Sequence, residues 1–413
     1  MNVLNSCLTK LKCRECAKEY DPCPSAICTD CLGSLEAAYD FATAAKTLTR
    51  ESLKTRERNI WRYRELLPVF SEPEIGLNTG FSPLIKAGRL GKLLRLDQLY
   101  VKNDAVLHPT LSFKDRVVSV ALSRGKEFGF DVFGCASTGN LANAVAAAAA
   151  AMGARSYIFI PADLEMGKIL GTAVYSPNIV YIDGNYDDVN RLCSEIAYSY
   201  KWGFVNVNLR AFYSEGSKTY GFEILEQMDF QAPRNIVIPM ASGSLLTKIN
   251  KAFEEFRAAG LVEGEAPRLF GAQAKGCAPI STAVKSNSEE ILPVKPKTIA
   301  KSIAIGNPAD GYYARDVIMK TDGWAEDVEE EEVVEGIRML AETEGIFTET
   351  AGGVTVAVLK KLAEQGRIRR DETTVLCVTG NGLKTAEVLY GDVKGKAAIK
   401  PDIAEFKRLI GSE

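Results

Sequence analysis

The sequence contains a single histidine, His108, in 413 residues. One imidazole excludes multi-histidine metal catalysis, and any Ser-His-Asp arrangement or His acid–base pair would have to use that one side chain. Charge excess is missing too: 50 basic residues stand against 53 acidic ones. The whole-chain field therefore offers no footprint for a polyanion, which argues against a nucleic-acid partner. Long apolar runs are also lacking. The longest, 144–152, is too short and too alanine-rich to span a bilayer, which argues against a membrane role. The opening MNVLNSCLTKLK has no apolar h-region and no small-residue cleavage site, and ten cysteines fall far below disulfide-scaffold density. The chain reads as cytoplasmic, with reduced thiols.

What is present begins with a hydrophobic fraction of 46%, enough to fill real cores, in a length that predicts two to three domains. Most of the cysteines cluster at the front, as Cys7, Cys13, Cys16, Cys23, Cys28 and Cys31. Cys13-x2-Cys16 and Cys28-x2-Cys31 follow zinc-ribbon spacing: each pair can place two thiolates on one metal, and two pairs close a tetrahedral, structural site. The same thiols could also stand reduced without a metal. Lys10, Lys12, Arg14 and Lys18 are offset by Glu15, Glu19, Asp21, Asp30 and Glu36, so this module carries no basic patch.

Residues 43–70 alternate charged and apolar positions and predict one or two amphipathic helices. From about residue 76, strands are expected at 131–136, 155–160, 179–182, 204–207, 235–239, 269–272 and 374–378. Helices are expected at 141–152, 187–200, 222–228, 245–259 and 333–343. This alternation predicts an α/β chain with mostly parallel, doubly wound sheets in two lobes. The acidic run 326–335 reads as a solvated helix start.

In such folds chemistry sits in loops that follow strands, and three junctions stand out. Ser137-Thr138-Gly139-Asn140 precedes an alanine-rich helix whose free amides could hold an anion. Ala241-Ser242-Gly243-Ser244-Leu245 forms a small-residue helix start suited to phosphate, without the Lys-Ser/Thr ending of a nucleoside-triphosphatase loop. Thr379-Gly380-Asn381-Gly382-Leu383-Lys384 reads as a tight turn, or as a hydroxyl at a strand end aimed into a crevice. Ahead of them, Lys114 follows Phe113 and precedes an apolar run. It is either an ordinary surface lysine or a desolvated amine able to form a Schiff base.

Taken in order, these segments resemble the threonine synthase family of fold type II pyridoxal-phosphate enzymes. The likeness is carried by HPTLSFKDR at 108–116, ASTGNLANAVA at 136–146, ASGSL at 241–245 and TGNGLK at 379–384. EGSKT at 215–219, IAKSIAIGNPADG at 299–311, ETEGIFTETAGGVT at 342–355 and the front CREC with CLGSLEAAYD extend it over nearly the whole chain. The resemblance implies a tryptophan synthase β-like fold. It divides the chain into a zinc-ribbon-like element (1–36), a helical arm (37–75), a larger cofactor-binding lobe (76–116 and 215–413) and a smaller mobile lobe (117–214).

The same resemblance implies roles. Lys114 would hold pyridoxal phosphate and then shuttle protons, with Phe113 beside it. Asn140 would bond the ring oxygen, Ala241, Ser242, Gly243, Ser244 and Leu245 the cofactor phosphate, and Thr379 would face the pyridine nitrogen. The implied reaction turns O-phospho-L-homoserine and water into L-threonine and phosphate by β,γ-elimination and water addition, the last step of threonine biosynthesis. Ser137, Thr138, Lys168, Asn206, Arg210, Ser214 and Lys218 are the expected substrate contacts, Cys13, Cys16, Cys28 and Cys31 the expected metal ligands, and a homodimer the expected assembly. In many relatives the arginine lies closer to the EGxKT element than Arg210 does, and ASGSL lacks the asparagines of the usual phosphate loop. Within the fold the alternative is another amino-acid lyase, including cysteate synthase, which joins phosphoserine with sulfite. A direct proton-transfer role for His108 is open, as is a packing role.

Overall fold

The computed structural model describes residues 6–137, 139–162, 169–184, 186–393 and 398–411. At the front, strands β1 (Leu8–Cys13), β2 (Glu19–Tyr20) and β3 (Leu35–Tyr39) form an antiparallel sheet in the order β2-β1-β3. In β3 the inward set is Leu35, Ala37 and Tyr39, alternating as a strand with one covered face requires. The arm that follows is shorter in its helices than its charge pattern predicts. It breaks into Phe41–Ala44, Arg50–Thr55 and a 3-10 segment Ile60–Leu66 that is kinked at Tyr63. Thr49 and Ser52 start the second piece with a reciprocal capping box.

Two α/β layers follow. Six strands, β4 (Leu84–Lys86), β5 (Leu99–Asn103), β10 (Asn235–Pro239), β11 (Arg268–Ala274), β12 (Trp324–Val328) and β13 (Thr374–Val378), make one sheet in the order β12-β11-β10-β13-β5-β4. All its pairings are parallel except β4 with β5. A second, parallel sheet has the order β8-β7-β6-β9, from β6 (Val132–Ala136), β7 (Arg155–Pro161), β8 (Asn178–Ile182) and β9 (Gly203–Phe204). The strand expected at 204–207 is thus only a two-residue contact. Of the acidic run, Glu326 and Asp327 lie in β12, and the helix begins at Glu330.

The helices that matter below are α1 (Lys114–Glu127), α2 (Asn140–Ala151), α3 (Arg210–Gly216), α4 (Lys218–Gln227), α5 (Ser244–Ala258), α6 (Gly311–Lys320), α7 (Glu330–Glu344) and α8 (Thr350–Glu364). Strand pleating sorts the core. Ile236, Ile238, Val375 and Cys377 pack on one face of the large sheet with Leu246 and Ile318 from α5 and α6. Val237, Leu376 and Val378 point the other way onto Val354 and Val358 of α8. Both faces are covered, which is why these strands read as unbroken apolar runs. Between β10 and β13 the chain's winding direction reverses, and loops at the carboxyl ends on either side of such a point splay to leave a crevice.

Candidate active site

The loop entering α1 is zipped onto the end of β13. Phe113 N–H donates to Thr379 O at 2.9 Å, Asn381 N–H donates to Leu111 O at 3.0 Å, and Ser112 bridges Gly380. This pairing sets Lys114, the first residue of α1, beside Thr379. Its Nζ lies 2.8 Å from the Tyr213 hydroxyl and over the Phe113 ring. Lys114 is half-buried, so its amine is neither solvated like a surface lysine nor sealed in the core.

The start of α1 is anchored by a buried charge network. Arg116 donates to both carboxylate oxygens of Asp104 and pairs with Glu223, which also meets Lys102 at 2.6 Å. None of these four side chains is exposed. Next to Lys114, Asp115 accepts from the N–H and hydroxyl of Thr110 at 2.9 and 2.7 Å, and burial pushes its carboxyl up to about 6.

Asn140 opens α2 and donates from Nδ2 to Glu349 Oε2 at 2.9 Å. Glu349 caps α8, and its own N–H donates to Gly380 O at 3.0 Å. A Cβ on Gly380 would sit 2.4 Å from Glu349 Oε1, so the carboxylate lies directly against the loop after β13. Lys114, Asn140, Thr379 and Glu349 therefore form one group, drawn from both sheets.

The loop 241–245 follows β10, the neighbour of β13. Gly243 has φ +92°, and a Cβ there would meet Ala314 Cβ at 2.7 Å and Asp310 O at 2.9 Å. Only glycine suits that bend. Asp310 N–H braces the loop through Ser242 O at 3.0 Å; the N-cap residue Gly243 has no side chain to cap α5, and Ser244 N–H reaches the Ser242 hydroxyl at a long 3.5 Å. First-turn amides have no carbonyl of their own helix to bond, and those of Gly243 and Leu245 donate to no backbone carbonyl among the described residues. An uncapped amide cradle, a half-buried amine, a buried hydroxyl and a directed carboxamide are a donor set that fits a phosphorylated pyridine aldehyde.

The expected substrate contacts separate. Lys218 is a correction: it is fully enclosed, bonded to Glu215, Glu255 and the Leu66 carbonyl, and cannot face a substrate. Arg210 and Ser214 line a small hollow with Arg14, Glu36, Lys248 and Asp310, where Arg210 is paired with Asp310 at 2.9 Å; they are not grouped with Lys114. Asn206 is half-buried, with Oδ1 enclosed and unbonded among the described residues. Ser137 stands at the end of β6 with its Oγ 3.3 Å from the Gly139 amide. Thr138 and Lys168 lie outside the described residues. His108 is exposed; its carbonyl accepts from Thr79, and it borders a cleft of about 420 Å³ with Asp115 and the alanine face of α2.

The four ribbon thiols do converge. Their Sγ atoms lie within 4.8 Å of one another, with Cys13–Cys31 at 3.4 Å and Cys16–Cys28 at 3.6 Å. A tetrahedron with metal–sulfur bonds of about 2.3 Å has edges of about 3.8 Å. The ribbon docks on the elements behind the 241–245 loop: Arg14 reaches Asp310 and stacks on Tyr313, and Glu15 bonds Tyr313. Glu36 pairs with Lys248 of α5.

Sequence reasoning missed Glu349 and Tyr213. A glutamate in TETAGG reads as an ordinary acidic helix start, and its one sequence signal is its position as the residue just ahead of an apolar helix. Tyr213 carries no such signal.

Residues 75–380 match the family of pyridoxal-phosphate dependent enzymes. The chain is 37% identical to the threonine synthase of Methanocaldococcus jannaschii over 402 residues, covering 97% of this chain and 98% of that protein. It is also 37% identical to the threonine synthase of Methanosarcina acetivorans, again over 97% and 98% of the two chains. Among solved structures, threonine deaminase isoform 2 from Solanum lycopersicum superposes with a TM-score of 0.63 at 19% identity, covering 76% of this chain and 84% of that one. Those neighbours bear out the α/β fold of the type II class.

Proposed function

This chain belongs to the threonine synthase family of pyridoxal-phosphate dependent enzymes, and from that membership we propose that it converts O-phospho-L-homoserine and water to L-threonine and phosphate. The observation that carries the reading is the meeting of Lys114, Asn140 and Thr379 beside the 241–245 cradle, in a chain matched end to end by such synthases.

Bound pyridoxal phosphate supplies an electron sink for charge developing on the substrate carbons. The chain's own residues do the rest. Lys114 holds the cofactor and moves protons, and the Tyr213 hydroxyl at 2.8 Å holds its amine in place. Phe113 would lie beside the ring, Asn140 would donate to the ring oxygen, the amides of 241–245 would take the phosphate, and the Thr379 hydroxyl would face the pyridine nitrogen as a neutral partner. Ser137, Thr138, Lys168 and Asn206 are the set proposed for the substrate phosphate.

The residues 76–116 with 215–413 act as the cofactor lobe and 117–214 as the moving lobe. Cys13, Cys16, Cys28 and Cys31 hold a structural zinc. A cytoplasmic homodimer completes the reading, and the free thiols suit a reducing compartment.

Phosphate release and amino-acid product are measured with phosphohomoserine in water and, separately, with phosphoserine and sulfite. Threonine from the first is the expected result. Turnover of the second without the first would make the chain a cysteate synthase.

A further inference from the structure

One buried ionisable group touches the site without a role in the reading above. Glu349 is 2% exposed, and among the described residues it makes no ion pair. Its Oε2 accepts from Asn140 Nδ2 at 2.9 Å; burial pushes the carboxyl up from its ordinary value, opposed by the bonds from Asn140 and the Thr379 hydroxyl. Its backbone is fixed by Gly380 O, and its neighbour Thr348 bridges Asn381. The carboxylate lies directly against the Gly380 backbone, where a Cβ would sit 2.4 Å from Oε1. The amines of Lys114 and Lys384 both act on it at longer range.

Asn140 and Thr379 come from different sheets, α2 following β6 and the loop following β13. Glu349 is the side chain that ties the two together. A carboxamide nitrogen carries two hydrogens. One donated to Glu349 fixes the plane of the Asn140 amide and leaves the other aimed outward. Without that acceptor the amide can rotate and present its oxygen instead, which would repel the ring oxygen of the cofactor.

We propose that Glu349 is a positioning residue that locks the Asn140 carboxamide, together with Thr379, in the orientation that receives the pyridoxal ring. This rests on the cofactor reading above. Glu349 itself neither attacks nor protonates the substrate; it acts through Asn140.

The test uses the full chain as wild type, E349Q, E349A, N140A and the N140A/E349A double variant. Each is stripped of cofactor and titrated with pyridoxal phosphate, following the visible band of the lysine-bound cofactor, its position and the Kd; melting curves of the stripped proteins check folding. E349A is expected to keep the band, shift its maximum in the same direction as N140A, and bind about tenfold more weakly, the loss of one charge-assisted hydrogen bond. The double variant is expected to be no weaker than N140A alone, because coupled residues are not additive. E349Q keeps an acceptor oxygen and is expected to stay within about threefold of wild type. Losses in the double variant that multiply in full, or an E349A protein with wild-type band and affinity, would overturn the assignment. A wild-type protein with no visible band at all would instead overturn the cofactor reading, and this assignment with it.

Discussion

The guanidinium of Arg116 grips Asp104 at two points, Nε to Oδ2 at 2.7 Å and Nη2 to Oδ1 at 2.9 Å, with neither side chain exposed. The pair ties the first turn of α1 to the end of β5, and so fixes the backbone that carries Lys114. Burying two charges is costly, so the pair itself adds little net stability, but breaking it leaves one charge enclosed and unpaired. Asp104→Ala should therefore destabilise the fold by about 3–5 kcal/mol. Urea unfolding checks this, and a loss under about 1 kcal/mol would mean that Glu223 alone suffices for Arg116.

Acid should find the same network. Burial opposes the charge of Glu223, but Arg116 and Lys102 outweigh it and hold the carboxyl at about 2. A folded value below the unfolded one, about 4.3, means the stabilisation is complete above that pH and is lost as pH falls toward 2. Wild type should lose stability across this window more steeply than Glu223→Gln, which starts weaker. Denaturant midpoints measured in steps through the window decide it; parallel curves would remove Glu223 from the account.

Lys114→Ala should bind pyridoxal phosphate without the visible band that borohydride quenches in wild type. Turnover should drop by at least about 10²–10⁴-fold, the share due to lost proton transfer alone. A variant that kept the band would move the cofactor to another lysine.

Gly243→Ala adds a methyl where φ is +92° and Ala314 and Asp310 already crowd the space. The cradle must open to admit it. Affinity for pyridoxal phosphate should fall by about tenfold or more, corresponding to the 1–3 kcal/mol of a strained backbone. Equilibrium titration measures the change, and an unaltered Kd would show that the phosphate sits elsewhere.

Elemental analysis of the purified chain should find a single zinc per molecule, lost in Cys16→Ser. Because Arg14 and Glu15 lie within the ribbon and contact Asp310 and Tyr313, metal loss should also raise hydrogen exchange in residues 308–314. Unchanged exchange there would confine the metal's effect to the ribbon.

The elements that could be read from the residues were those whose signal is local. The Cys-x2-Cys spacing, the small-residue start of α5 and the apolar runs of β10 and β13 each specify their own geometry. What could not be read were partners brought from afar. Lys218 pairs with Glu215 three residues before it, but the sequence around it does not show that Glu255 and the Leu66 carbonyl, from separate elements, complete its enclosure. Nothing in the sequence ties Glu349 to the site, because its partner Asn140 lies 209 positions away. The arm failed as a helix for a local reason that was missed, since Arg56 to Asn59 do not continue the turn begun at Arg50.

The order of strands in the large sheet governs how this protein comes into being. β13 lies between β10 and β5, yet it is the last of the three to be synthesised. At about 5–20 residues per second, β5 waits on the order of tens of seconds for its central neighbour. Until then the sheet exists as two halves, each showing an unpaired edge to anything that can pair with it. The strands that lead to the 241–245 loop and to Lys114 are both made before β13, the strand that joins them. A chain truncated before residue 374 keeps Lys114, Asn140, Glu349 and the 241–245 loop but lacks the central strand and the Thr379 loop that join them.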